Sequence, residues 1–163
     1  MVHVPFAFMF LSAALDVLYY ASITPATSST VLSALKAVEF QLDPAALPVL
    51  SHYITILTLA FSVPAIVTGA MELAPVIKRD GFSSKKAQIG VVHALVNEVT
   101  VFGTAYNYWT RRSNIGFAPS PTNVLVSAVA HPASVFAAYL GAKLVYQYGM
   151  GVGRGSSRAK KSQ

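Results

Sequence analysis

Long apolar stretches, broken by short polar connections, dominate the pattern of this chain. Four of them have the length a bilayer crossing needs, about 20 residues each. They run from about Val4 to Tyr20, from Pro44 to Glu72, from Lys86 to Trp109 and from Asn123 to Gly149. Each predicts a helix, because a lone segment in hydrocarbon satisfies its backbone only by helical hydrogen bonds. Asp43 followed by Pro44 reads as a helix start, the carboxylate capping free amides and proline fixing the first turn, and Asn123 after Pro119 and Pro121 reads the same way. Pro64 and Pro132 fall inside the second and fourth spans, where each removes a backbone hydrogen bond and should bend its helix. Between the first two spans, Ser28 to Leu42 places Leu32, Leu35, Val38 and Leu42 roughly on one side, as in an amphipathic surface helix; an ordered loop is the alternative. The expected fold is all-α: an integral membrane four-helix bundle over residues 1–150, followed by a disordered basic tail over 151–163.

Composition supports a membrane class. Apolar residues make up 54% of the chain and charged residues only 11%. Cysteine is absent, which excludes disulfides, thiolate metal sites, iron-sulfur clusters and cysteine nucleophiles, so any metal must be held by His, Asp or Glu. No basic region precedes the first apolar run, so it reads as a span and not as a removable peptide. The net charge of +6 is unevenly placed. Lys78, Arg79, Lys85, Lys86, Arg154, Arg158, Lys160 and Lys161 share the face of both termini, against Lys36, Arg111 and Arg112 opposite. That excess predicts both termini on the cytoplasmic or matrix side. Anionic lipid at the basic face then explains the charge, and no groove-reading motif points to nucleic acid.

Four histidines fall one to each span: His3, His52, His93 and His131. Alternating helix directions put His3 and His93 toward one face and His52 and His131 toward the other. His52 and His131 each follow their expected helix starts by roughly eight residues, or about 12 Å of depth. Two opposed imidazoles are what a six-coordinate haem iron requires. The candidate site is therefore one or two haem b groups, His52 and His131 ligating one and His3 and His93 the other. The protein would be a cytochrome b-like transmembrane oxidoreductase passing electrons across the bilayer.

Other polar residues bear on this reading. At helical spacing, His93, Asn97, Thr100, Thr104 and nearly Asn107 form a polar stripe that must face the interior. On the fourth span, the stripe through His131 holds Ala138, Ala142 and Gly149, with Gly141 close by; small residues there allow close helix approach or leave room for a porphyrin. Asp16, Glu72, Glu98 and Lys143 are ionisable groups within or at the edges of spans, which is costly unless they are functional or paired. Asp16 and Asn97 are candidates to orient ligating imidazoles. Asp16, Asn97, Glu98 and Glu72 would also suit a proton relay. The alternatives to a cytochrome are a cofactor-free structural or accessory subunit bound to partner subunits or to a second copy, a proton or ion pathway through His93, Asn97, Glu98 and Asp16, and a non-haem metal site at His52, His131 and Asp16.

Several motifs resemble a known family. Val2-His3-Val4-Pro5-Phe6-Ala7 leading to Leu15-Asp16-Val17-Leu18-Tyr19 is similar to the "VHFPIA...LLD" opening of the membrane-protein family called domain of unknown function 2231. Thr68-Gly69-Ala70-Met71-Glu72 resembles its "TGxxD", and His93-Ala94-Leu95-Val96-Asn97 its "HxxxN". Tyr139 to Tyr146 with Gly149 to Val152 resembles its "YLGGxLVYxxGVGV" ending. The resemblance implies a four-span protein related in layout to haem-binding four-helix cytochromes, with His3, Asp16, Glu72, His93 and Asn97 at motif positions. Tyr148 stands where family members often carry a histidine.

Overall fold

The structure, a computed structural model, describes residues 3–37 and 43–151; the side chain of His3 lies outside the described set. The chain is all-helical, with no strand among the described residues. Helix α1 spans His3–Ile23, α2 Ser28–Ala37, α3 Ala46–Asp80, α4 Lys85–Arg111 and α5 Pro121–Tyr146, with a single 3-10 turn at Ile115–Phe117 between α4 and α5. Four segments are long and apolar enough to cross a membrane: Val4–Ile23, Ala46–Asp80, Lys85–Arg111 and Ile115–Tyr146.

Helix ends depart from the sequence expectation in ways local chemistry explains. Asp43 does act on a free amide, its Oδ1 accepting from Ala45 N at 2.9 Å. That bond closes a turn ahead of the helix, so α3 starts at Ala46 and not at Pro44. α3 also continues past Glu72 to Asp80, through both Pro64 and Pro75, until Gly81 stops it at φ 73° while its N–H donates to Ile77 O. At about 1.5 Å per residue its 35 residues reach about 52 Å, well beyond the roughly 30 Å of hydrocarbon. On α5 the cap is Ser120, not Asn123. Ser120 Oγ accepts from Asn123 N, and Asn123 Oδ1 accepts from Ser120 N at 2.9 Å, a reciprocal capping box with Pro121 in the first turn. The segment expected to be amphipathic is helical as far as Ala37, with no buried residue; its remainder and the basic tail lie outside the described residues.

Helix α1 packs against α3 and α5, and α4 packs against the same two. Their outer surfaces carry large apolar side chains such as Val63, Leu95, Val99, Phe102, Leu125 and Val129, all well exposed. The interior is the reverse, lined by Ser12, Ser51, Thr55, Thr58, Ser62, Thr100, Thr104, Ser127 and Ser134. Lipid removes the hydrophobic drive between helices, so small residues that allow close approach hold the assembly. Several of these hydroxyls are satisfied within their own helices: Thr55 donates to Ser51 O, Thr58 to Ile54 O, Ser62 to Thr58 O and Thr104 to Thr100 O, at 2.7 to 2.9 Å. Thr100, Thr104 and Asn107 are buried, as the polar stripe of α4 predicted. Gly90 lets α3 and α4 meet, since a Cβ there would stand 2.5 Å from Leu73 Cδ1.

Asn123 joins two helices as well as capping one. Its Nδ2 donates to Asn107 Oδ1 at 3.1 Å and Thr110 Oγ1 at 2.7 Å, and Asn107 Nδ2 donates back to Asn123 O and Ser127 Oγ. Asn123→Ala should therefore lower stability by about 1–3 kcal/mol in detergent unfolding titrations, through the lost cap and the orphaned Asn107 amide. Gln88→Ala, which removes only an exposed 3.4 Å bond, should leave the midpoint unchanged.

Candidate functional site

Two regions of the interior carry the polar chemistry, one at each end. At the end where α1 finishes and α3 begins, Asp16 and Arg111 form an ion pair, with only 2% and 1% of their side chains exposed. Arg111 Nη1 donates to both carboxylate oxygens, at 2.7 and 2.9 Å. Ser51 Oγ donates to Oδ1 at 2.6 Å and Ser127 Oγ to Oδ2 at 2.8 Å. The rest of the guanidinium reaches backbone, Nη2 to Pro48 O and Nε to Phe117 O. Arg111 is one helical turn beyond Asn107 on the stripe that already holds Thr100 and Thr104, so extending the stripe would have found it. Sequence reasoning took it only as a topology charge.

The turn between α4 and α5 supplies that last carbonyl by an unusual backbone path. Gly116 has φ 60° and Phe117, not a glycine, has φ 56°. This path also lays the Phe117 ring flat on His52, centroids 4.0 Å apart and planes 1° apart, while Tyr108 stacks at 5.3 Å. His52 is buried, and its Nδ1 is the one buried side-chain nitrogen or oxygen without a hydrogen-bond partner among the described residues. His131 lies elsewhere, half-buried with its ring 4.1 Å from that of Phe10 on α1. The inward line of α5 runs through Asn123, Ser127, Ser134 and Ala137, which puts His131 at its edge and leaves Ala138 exposed. His52 and His131 thus have the same nominal depth but different surroundings. A cavity of about 10 Å³, lined by Met9, Ser12, Asp16, Thr55, Thr104 and Ser127 among others, separates the helices here. It has room for about one water.

At the other end, where Lys78, Arg79, Lys85 and Lys86 gather, His93 Nδ1 lies 2.8 Å from Ala137 O on α5. A carbonyl only accepts, so Nδ1 carries a proton and donates it to Ala137 O. Asn97 fixes the same turn, Nδ2 donating to His93 O at 2.7 Å and lying 3.3 Å from Nε2. Gly141 admits the ring, since a Cβ there would fall 3.0 Å from His93 Cε1.

On α3 the inward stripe Ser51, Thr55, Thr58, Ser62 continues at helical spacing to Gly69. Gly69 is nevertheless exposed, with nothing within 4 Å of where its Cβ would stand. Phe8 of α1 packs on Phe61 of α3, ring centroids 5.8 Å apart, so Gly69 stands eight residues, about 12 Å, further along α3 toward the basic end. Glu72 follows on α3, half-buried.

The remaining candidates separate. Glu98 is midway along α4 between Lys85 and Arg111, half-buried beside exposed Leu95, Val99 and Phe102, and makes no hydrogen bond or ion pair among the described residues. Lys143 Nζ sits 5.5 Å over the Tyr139 ring, and Lys86 Nζ donates to Tyr148 O. No group of three or more His, Asp or Glu that could hold a metal occurs among the described residues, and Asp16 is fully engaged away from His52 and His131.

A family model described as predicted membrane protein, DUF2231, matches residues 1–154, and the chain belongs to that family. No curated protein and no solved structure matches it.

Removing one partner of a buried ion pair strands the other, which costs about 3–5 kcal/mol. Arg111→Met and Asp16→Ala should each lower unfolding stability by about that much, and the double variant by far less than the sum. Additive losses would show that the two side chains act independently.

Proposed function

We propose that this DUF2231 membrane protein is a haem b-binding electron carrier whose iron would be held at the basic end by His93 and His3. The observation that carries this reading is the His93 imidazole, whose Nδ1 proton is already committed to Ala137 O at 2.8 Å. A ligating histidine needs its second nitrogen donating to a fixed acceptor, which holds the tautomer and aims the ring. Asn97 and Gly141 add to that positioning, one by pinning the His93 turn and the other by leaving room for the ring. Bound haem would supply one-electron chemistry there.

The other end supports one group and not two. Phe117 and Tyr108 wall in His52, His131 packs on Phe10, and the space between the helices takes a single water. A relay through Asp16 is also disfavoured, because every carboxylate oxygen there already accepts from Arg111 and a serine. The second reading is a cofactor-free subunit of a membrane assembly, favoured by Glu98 on an outer face.

The deciding measurement is the visible spectrum of the detergent-purified protein, oxidised and dithionite-reduced, with a pyridine haemochrome count. The expected result is one haem b per chain, retained in His52→Ala. His93→Ala should remain folded but lose the Soret band for want of a ligand. A well-folded colourless protein overturns the proposal in favour of the subunit reading.

A further inference from the structure

We propose that α4 carries a self-association face centred on Glu98, which meets Glu98 of a second copy at the same depth. The inference is independent of the haem site. Glu98 sits at the midpoint of a helix long and apolar enough to span the bilayer, on the side away from the buried stripe of Thr100, Thr104 and Asn107. Its neighbours Leu95, Val99 and Phe102 are 59%, 69% and 70% exposed, so this is the lipid-facing surface. Among the described residues nothing donates to it or pairs with it. A carboxyl left alone at that depth carries a large desolvation cost, and such residues are normally covered by a partner.

A second copy meets the requirement without any other component. Two copies inserted the same way round are related by a twofold axis along the membrane normal, and under that rotation a residue near the axis meets its own counterpart at its own depth. A carboxyl is suited to that encounter because it is donor and acceptor in one group when it holds its proton. Ala94 and Ala105, half-buried on the same side of α4 and on either side of Glu98, let two α4 helices approach closely. A partner presenting Lys or Arg at mid-membrane is the competing occupant, and the purified protein alone distinguishes the two.

The chain has no cysteine, so single cysteines report contacts cleanly. In proteoliposomes, Leu95→Cys and Phe102→Cys should each give a disulfide-linked dimer on mild oxidation, whereas Val129→Cys on the outer face of α5 should not. Adding Glu98→Leu should weaken dimerisation by about three- to thirtyfold, the range measured for interhelical hydrogen bonds in membranes, and Glu98→Gln should restore it because amides also pair. Monomer at every protein-to-lipid ratio, equal cross-linking at Val129→Cys, or indifference to Glu98→Leu would each overturn the proposal. Haem content plays no part in the readout, so its failure and that of the haem reading are separable.

Discussion

The Asp16–Arg111 pair is the constraint around which the rest of the assembly is arranged. Two fully desolvated charges are tolerable only when attraction at short range and a complete set of hydrogen bonds offset their lost hydration. Here that set is drawn from everywhere: Ser51 and Pro48 on α3, Ser127 on α5, and Phe117 in the turn before α5, with Asp16 itself on α1 and Arg111 on α4. Satisfying one guanidinium therefore brings all four long helices and a connecting turn to one point. The left-handed backbone at Gly116 and Phe117 follows from the same demand, because it delivers the carbonyl that Nε needs. The flat stacking of Phe117 on His52 comes with it, so the environment of that histidine is set by an ion pair it does not touch.

The two ends of the interior are held differently. Near Asp16 the helices are tied to one another, since Ser51 of α3 and Ser127 of α5 both donate to the carboxylate, while Thr55, Thr58, Ser62 and Thr104 bond within their own helices and let the helices approach closely. Toward the basic end α3 passes Pro64 and Gly69 is exposed. There His93 of α4 is held by a carbonyl of α5, and both of those helices are anchored at the far end by Asn107, Asn123 and Ser127.

Much of this was legible in the sequence because it depends on single-helix periodicity. The four spans needed only hydropathy and length, and the burial of Thr100, Thr104 and Asn107 needed only spacing along α4. The Asp16 partner was one step away, since Arg111 lies on that stripe at the correct end. What spacing does not encode is rotation of one helix against another. His52 and His131 match in depth, yet His131 stands to one side of the inward line of α5 and His52 turns toward α4 and the 3-10 turn. Nor does spacing predict that residues 115–117 fold back over α3, because that path depends on the Arg111 side chain, not on any turn signature in Ile115-Gly116-Phe117. The end of α3 escapes the pattern as well, because Pro75 does not stop the helix and Gly81 does, so it continues past Glu72 to Asp80.

In a protein whose interior is polar, burial alone does not separate structural groups from functional ones, and hydrogen-bond accounting does better. The interior hydroxyls and amides discussed above have partners, and Asp16 and Arg111 have full sets; these groups hold helices together and have little capacity left for a ligand. Three side chains differ. Among the described residues His52 Nδ1 is buried without a partner, with Phe117 and Tyr108 stacked on the ring faces. His93 has Nδ1 committed to a carbonyl of α5, while Nε2 lies 3.3 Å from the Asn97 amide of its own helix. Glu98 has no partner among the described residues and sits at the middle of α4, on the side away from Thr100, Thr104 and Asn107. Of the polar groups on α4, His93 and Glu98 are thus the two whose bonding within the chain is least complete, and they fall on opposite sides of the helix.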